Sequence, residues 1–234
     1  MKSSTVLTSL LFGTVLIAAT ACGITEYDNY EEPKSTLEGA VVHEGDTLRV
    51  RNGAVQLEIW EDGYKDFEKI PVHVNQDGSF SSKLHDGTYK LTELIGDGPW
   101  VPNSDTTVFE LNGSKQMEFQ VEPYYKITSE NISLQGNSII ADFVLEEVNT
   151  SLPITYVTLF IGTGRFTSTQ NNSFYWNHLQ EEIGINSNGS NTMDITLSQL
   201  PEELSSRDYI FARICVEIEG KEDALYSKAY KIQL

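Results

Sequence analysis

Aromatic rings next to acids are the residues of this 234-residue chain best suited to binding chemistry. Trp60 ends the run Gln56-Leu57-Glu58-Ile59-Trp60, Tyr64 ends Glu61-Asp62-Gly63-Tyr64, and Trp100 ends Gly96-Asp97-Gly98-Pro99-Trp100. A flat ring offers a stacking face to the C–H side of a sugar, while carboxylates accept hydrogen bonds from its hydroxyls. Trp60, Tyr64 and Trp100, with Glu58, Asp62 and Asp97 as acceptors, form the first candidate glycan-binding set. Strict alternation along its strand puts Trp60 on the polar face. Tyr175 and Trp176, ahead of Asn177-His178, form a second aromatic platform. The competing assignment for all of these rings is packing, because large aromatics are mostly buried.

Reactive constellations are not visible. His43, His73, His85 and His178 have no partner at metal-ligand spacing, and no cysteine pair supports a zinc site, so neither a metal nor a cofactor is expected. Asn75-Gln76-Asp77-Gly78 lacks the alternating acids and closing glutamate of a calcium loop and reads as a hairpin turn. The pairs Glu146-Glu147, Glu181-Glu182 and Glu202-Glu203 would need a suitable separation across a cleft to act as a glycosidase dyad. There is no Gly-x-Ser-x-Gly and no phosphate-binding glycine loop. The expectation is a protein that is not an enzyme. With 16 Lys plus Arg against 34 Asp plus Glu, the net charge of −18 argues against nucleic acid.

The first 21 residues read as a processing signal: Lys2, an apolar run from Val6 to Ala21, and small residues at its end. Ala19-Thr20-Ala21-Cys22 resembles a bacterial lipoprotein signal, which implies that Cys22 becomes the acylated mature N-terminus. The alternative is a plain signal peptide with Cys22 an incidental thiol. Several acyl chains anchor durably where one does not. Lipidation would leave Cys215 alone, with no intramolecular disulfide, and its place in a strand-like run suits a packed, inert thiol. Residues 22–36 are polar, acidic and interrupted by Pro33, and read as a tether.

Beyond the tether, short alternating runs separated by Gly, Asn and Asp predict an all-β chain. Val55, Leu57 and Ile59 share one face of Ala54–Trp60, and Met117, Phe119 and Val121 share one face of Lys115–Val121. Pro71 demotes the Ile70–Val74 segment to an edge or bulged strand. Further strands are expected over Ile139–Leu145, Ile154–Ile161, Thr192–Leu197, Tyr209–Ile218 and Leu225–Leu234. In Tyr209–Ile218 the apolar face Ile210, Ala212, Ile214, Val216 and Ile218 lies opposite Phe211, Arg213, Cys215 and Glu217. The reading is two consecutive β-sandwich domains, 37–122 and 123–234, with the boundary at Glu122-Pro123-Tyr124.

The opening Gly39-x-Val41 strand, Asp77-Gly78-x-Phe80 and Asp86-Gly87-x-Tyr89 resemble transthyretin-like, carboxypeptidase-regulatory-like sandwiches. In that reading each Asp-Gly supplies a turn and the aromatic two residues on plugs the core. The seven or so strands of the second half suggest an immunoglobulin- or fibronectin-like sandwich. Asp28-Asn29-Tyr30, Glu32-Pro33-Lys34-Ser35-Thr36-Leu37, Gln56–Trp60 and Gly96–Trp100 together resemble the domain-of-unknown-function 3823 family of Bacteroidetes lipoproteins. Asp46-Thr47-Leu48 and Asp105-Thr106-Thr107 resemble the O-glycosylation acceptor of exported proteins from the same bacteria, at Thr47 and Thr106. The family resemblance implies a lipid anchor in the outer membrane, a TonB-dependent transporter and SusD-like lipoprotein as partners, and a role in polysaccharide uptake. It carries no catalytic residues. Two functions follow from it: glycan binding in support of the transporter, or docking within an outer-membrane complex without a ligand.

Overall fold

A computed structural model describes residues 31–63, 68–171, 174–179 and 184–234. Cys22 and Tyr64 lie outside these residues. The first half holds β1 (Ser35–His43), β2 (Asp46–Thr47), β3 (Gln56–Glu61), β4 (Lys69–His73), β5 (Ser79–Leu84), β6 (Gly87–Glu93), β7 (Thr107–Leu111) and β8 (Ser114–Gln120). Ser35 and Thr36, read as tether, are thus already paired in β1. One antiparallel sheet runs β4-β3-β6-β7. In the other, β1 is central: β8 lies parallel to it from Thr36↔Ser114 to Val42↔Gln120, and β5 and β2 pair with it antiparallel.

Period-2 alternation builds the core between the two sheets. Leu57 and Ile59 of β3, Tyr89 and Leu91 of β6, and Phe80 of β5 all point inward and are buried. The aromatics after the two Asp-Gly steps do fill the core, Phe80 at 1% and Tyr89 at 2% exposure. The steps differ in geometry, however. Gly78 has φ +84°, which its turn requires, whereas Gly87 opens β6 without a positive φ. There the Asp86 carboxylate accepts from the Ser35 hydroxyl and the Gly113 N–H.

Gly39 faces Phe80 across β1 and β5. A Cβ at position 39 would sit 2.4 Å from both the Met117 carbonyl oxygen and Phe80 Cζ. Gly39→Ala is expected to destabilise the protein by about 1–3 kcal/mol through overpacking, seen as a lower urea midpoint.

The second half holds β9 (Tyr125–Gln135), β10 (Ser138–Glu147), β11 (Ile154–Gly162), β12 (Phe174–Leu179), β13 (Gly189–Thr196), β14 (Tyr209–Ile218), β15 (Leu225–Tyr226) and β16 (Tyr230–Gln233). One sheet is β13-β10-β9; the other is β12-β11-β14-β15, with β16 also on β14. A 3-10 turn at Leu197–Gln199 and the single-turn helix α1 (Glu202–Ser205) link β13 to β14. The expected strand over Leu225–Leu234 is two short strands, broken where Ser227 turns its hydroxyl to the Ile214 N–H.

The inner face of β14 is apolar as expected, and on its outer face Phe211 and Glu217 are partly exposed while Arg213 and Cys215 are buried. Arg213 is 1% exposed and Cys215 0%: carbonyls of the first half meet Arg213, and Phe160, Ala224 and Tyr226 cluster with Cys215. Arg213 Nε donates to the Ser227 carbonyl at 2.8 Å, and Nη2 donates to the carbonyls of Val50 at 3.0 Å and Gln76 at 3.2 Å. Its guanidinium also lies 4.3 Å from the Tyr226 ring centroid. Burial lowers its pKa to about 10, which leaves it charged at neutral pH. The Tyr226 N–H donates to the Arg49 carbonyl at 2.9 Å, and Lys126 Nζ pairs with Asp46 at 2.9 Å. One apolar cluster includes residues of both halves, and 33–234 form one compact unit. Burial raises the Cys215 thiol far above its usual range, so it is inert packing.

Asp223 lies at the same junction, 6% exposed, 3.6 Å from Arg51 Nε, with Oδ2 unpartnered. Burial raises its pKa to about 6, despite Arg51 and Arg213, and Asp97 adds to the rise. The folded state therefore holds this proton more tightly than the unfolded chain, where the pKa is about 3.9. Its contribution to stability is complete below about pH 4 and is lost as pH rises through about 6, roughly 3 kcal/mol in all. Asp46, Asp77 and Asp86 are shifted the other way by hydrogen bonds, so the Asp223 effect is read as a difference. Asp223→Asn is expected to gain on the wild type by about 2–3 kcal/mol between pH 4 and pH 8 in paired urea titrations.

Candidate functional site

The outward positions of β3 and β6 meet in register. Trp60 stands opposite Lys90, and Glu58 opposite Thr92. On the flanking strands Lys69 stands opposite Trp60 and Val108 opposite Lys90. The row Lys69, Trp60, Lys90, Val108 thus crosses the outer face of the four-stranded sheet. Trp60 is half-buried and donates its indole N–H to Thr92 Oγ1 at 3.1 Å, which fixes the ring against the sheet. Val108 is 61% exposed.

A pocket of about 470 Å³ lies over this face. Its lining comes from Glu58 and Trp60 on β3, Lys90 and Thr92 on β6, and the segment from Glu93 to Thr106. That segment contributes the apolar Leu94 and Ile95 and the polar Asn103, Ser104 and Thr106. Ile95 is 66% exposed, a large apolar side chain at the lip.

Two carboxylates hold the segment in place. Glu93, 4% exposed, accepts from Trp100 Nε1 and from the Asn103 backbone N–H, each at 2.7 Å. Burial raises its pKa, against those two bonds. Asp97 accepts from the Gln56 N–H at 2.5 Å, and burial raises its pKa too. Trp100 is the plug between these ties. It is 1% exposed and bridges to Pro123 at the junction of the two halves. Gly98 makes room for it, since a Cβ there would fall 2.1 Å from the indole.

These contacts correct several expectations. Trp100 is a core residue whose ring cannot meet a sugar. Glu58 is 7% exposed and its carboxylate is engaged by Lys69 Nζ. Asp97 is half-buried and taken by backbone. Asp62 is exposed but paired with Lys90 at 2.7 Å. Among the described residues of the first set, Trp60 and Glu58 line the pocket. In the second platform, neighbouring residues of one strand point to opposite faces. Tyr175 is 54% exposed beside Phe160, with ring centroids 6.3 Å apart, whereas Trp176 packs on the core opposite Leu159. They do not form one surface. Lys90 and Thr92 were missed. They alternate outward in Gly87–Glu93, a signal that becomes readable once β6 is placed beside β3. Among the described residues, no three His, Cys, Asp or Glu side chains converge as metal ligands.

The fold and this face define an all-β protein of two consecutive sandwiches that carries an aromatic platform. The first half, residues 35–122, matches the family described as "Protein of unknown function (DUF3823) N-terminal domain", and residues 125–231 match "Domain of unknown function (DUF3823_C)". The chain belongs to the DUF3823 family. A family structure from Parabacteroides merdae is 31% identical, with a TM-score of 0.78, covering 87% of this chain and 100% of that one. Another, from Bacteroides ovatus, is 28% identical with a TM-score of 0.79, over 86% and 100%. A Bacteroides uniformis structure described as a "putative carbohydrate binding protein" shares the fold at 18% identity and a TM-score of 0.72, over 86% and 100%. Comparison with curated proteins gives no match.

Proposed function

We propose that the chain is a non-catalytic outer-membrane lipoprotein, held by acyl chains on Cys22, that binds polysaccharide for a SusC/SusD-type uptake system. The observation that carries the binding half is the seating of Trp60: a half-buried ring, fixed by Thr92, in a pocket also lined by Ile95, Asn103 and Thr106. Apolar walls with a few convergent polar groups are the usual make-up of a small-molecule site. The pyranose C–H face would lie on the indole, and the amide and hydroxyls of the segment would take the sugar hydroxyls. The description of the Bacteroides uniformis relative points the same way. The anchoring half rests on Lys2, the apolar run and Ala19-Thr20-Ala21-Cys22.

The test is titration of the purified full chain against a polysaccharide panel, alongside labelled palmitate incorporation in the wild type and Cys22→Ser. Saturable binding, and label that Cys22→Ser loses, support the proposal. Silence across the panel, with a transporter pair retained in affinity purification from native membranes, would assign the face to docking instead.

A further inference from the structure

β13 pairs with β10 on one side, from Ser138↔Thr196 to Leu145↔Gly189, and among the described residues no strand pairs with its other side. One bond shows which backbone groups point to that open side. The Leu197 N–H donates at 2.9 Å to the carbonyl of Asn137, the residue opposite it. Bonded and non-bonded pairs alternate along an antiparallel ladder, and this ladder has no register shift. Gly189, Asn191, Met193 and Ile195 therefore bond to β10, while Ser190, Thr192 and Asp194 turn their N–H and C=O groups outward. The outward run is stopped at both ends. The Asn188 N–H goes to Asn186 Oδ1 at 3.1 Å, and the Thr196 N–H to Gln199 Oε1 at 2.9 Å. Between those stops Ser190, Thr192 and Asp194 are exposed, and among the described residues nothing bonds their outward backbone groups. Sheet edges are commonly blunted by proline, lysine or a bulge. β4 carries Lys69 and Pro71, and β8 carries Lys115. β13 has none of these over its eight residues.

We propose that this edge is occupied by β13 of a second copy of the chain, running antiparallel and centred on Thr192. The open run is symmetric about that residue. A twofold axis there sets Thr192 opposite Thr192 of the second copy, and Ser190 opposite its Asp194 and the reverse. Each pair exchanges two backbone bonds, so every outward N–H and C=O of the three residues is used. The side chains agree with this register. Threonine opposite threonine is a favourable cross-strand pair, and Asp194 meets a serine hydroxyl rather than another acid. The sheets β13-β10-β9 of the two copies become one continuous sheet. Because the twofold uses up both edges, assembly closes at a dimer. Each copy carries a net charge of −18, so long-range repulsion opposes the pairing and salt relieves it.

The experiment is sedimentation equilibrium of the purified full chain from about 5 to 500 µM, at low and high salt. The expected result is a monomer–dimer equilibrium that tightens with salt. Thr192→Pro deletes an N–H that β10 does not use, and is expected to weaken the dimer about tenfold or more. Thr192→Lys sets two ammonium groups face to face and is expected to do the same, while mixing it with Thr192→Glu restores association. Circular dichroism checks that each variant folds, and if Thr192→Pro does not, Thr192→Lys decides. Cross-linking uses a Cys22→Ser background, which leaves the buried Cys215 as the other thiol. There Thr192→Cys is expected to give a disulfide-linked dimer under mild oxidation, and Ser190→Cys little, since it faces Asp194. A wild type that stays monomeric at both salts overturns the inference. So does a dimer that neither Thr192→Pro nor Thr192→Lys weakens, or one that Ser190→Cys links as well as Thr192→Cys.

Discussion

Arg213→Met is expected to lower the unfolding free energy by about 3 kcal/mol or more, as a fall in urea midpoint measured by circular dichroism at pH 7. The cause lies in what the substitution leaves behind. Methionine fills much of the volume, but it cannot donate. The carbonyls of Val50 and Ser227, both buried, and of the half-buried Gln76 then lose a charged donor. Arg213→Lys is expected to recover little of the loss. One ammonium on a flexible stem cannot match the planar fork that reaches both halves of the chain at once, nor lie flat on Tyr226. Because two of the three acceptors belong to the first half and the guanidinium to the second, the wild-type transition is expected to be single and the variant's to broaden or split. An unchanged midpoint and width would show that the halves are held together by something other than Arg213.

Trp60→Ala is expected to weaken saccharide binding by at least about thirtyfold, or roughly 2 kcal/mol, the usual cost of removing a central aromatic anchor. Trp100→Ala is the instructive partner. Its ring is 1% exposed, so its removal is expected to cost about 3–5 kcal/mol of stability, with binding affected only as the Glu93–Trp100–Asn103 ties slacken. Calorimetry with the tightest glycan of the panel and urea titration of both variants separate the two roles. Trp60→Ala should move the affinity far and the midpoint little, and Trp100→Ala the reverse. Undiminished binding by Trp60→Ala would show that the pocket over the four-stranded sheet is not where saccharide sits.

The fold was largely legible because a strand with one wet face writes its burial into every second residue. Ala54–Trp60 and Lys115–Val121 alternate cleanly, and strands with the expected faces run over Gln56–Glu61 and Ser114–Gln120. β9 does not alternate: Tyr125 and Lys126 are both buried, and the polar run Thr128-Ser129-Glu130 follows. It was missed as a strand for that reason. In β14 the apolar face and the packed Cys215 were legible, but nothing local says that carbonyls of the first half meet Arg213.

The site was less legible. Whether an acid is free to meet a ligand depends on its cross-strand neighbour. Glu58 is taken by Lys69, one strand away, and Asp97 by an N–H 41 residues earlier. Register sets such pairings, and register is not written in a single strand. Trp100 follows Gly98-Pro99, which reads as an exposed loop. It packs in the apolar core with its indole N–H donated to Glu93, an acid that looks like surface until that N–H is seen to need an acceptor.

The central strand β1 has a mechanical consequence. Its first paired residue follows directly on the N-terminal segment, and its parallel neighbour β8 leaves the sheet at the opposite end, toward the second sandwich. Tension between the residues ahead of Ser35 and the second sandwich would drag the two strands past each other along their length. The ladder from Thr36↔Ser114 to Val42↔Gln120 would then have to yield in shear, all of its bonds sharing the load, rather than peel apart one bond at a time. A body hauled by its leading end while gripping something heavy would keep its shape.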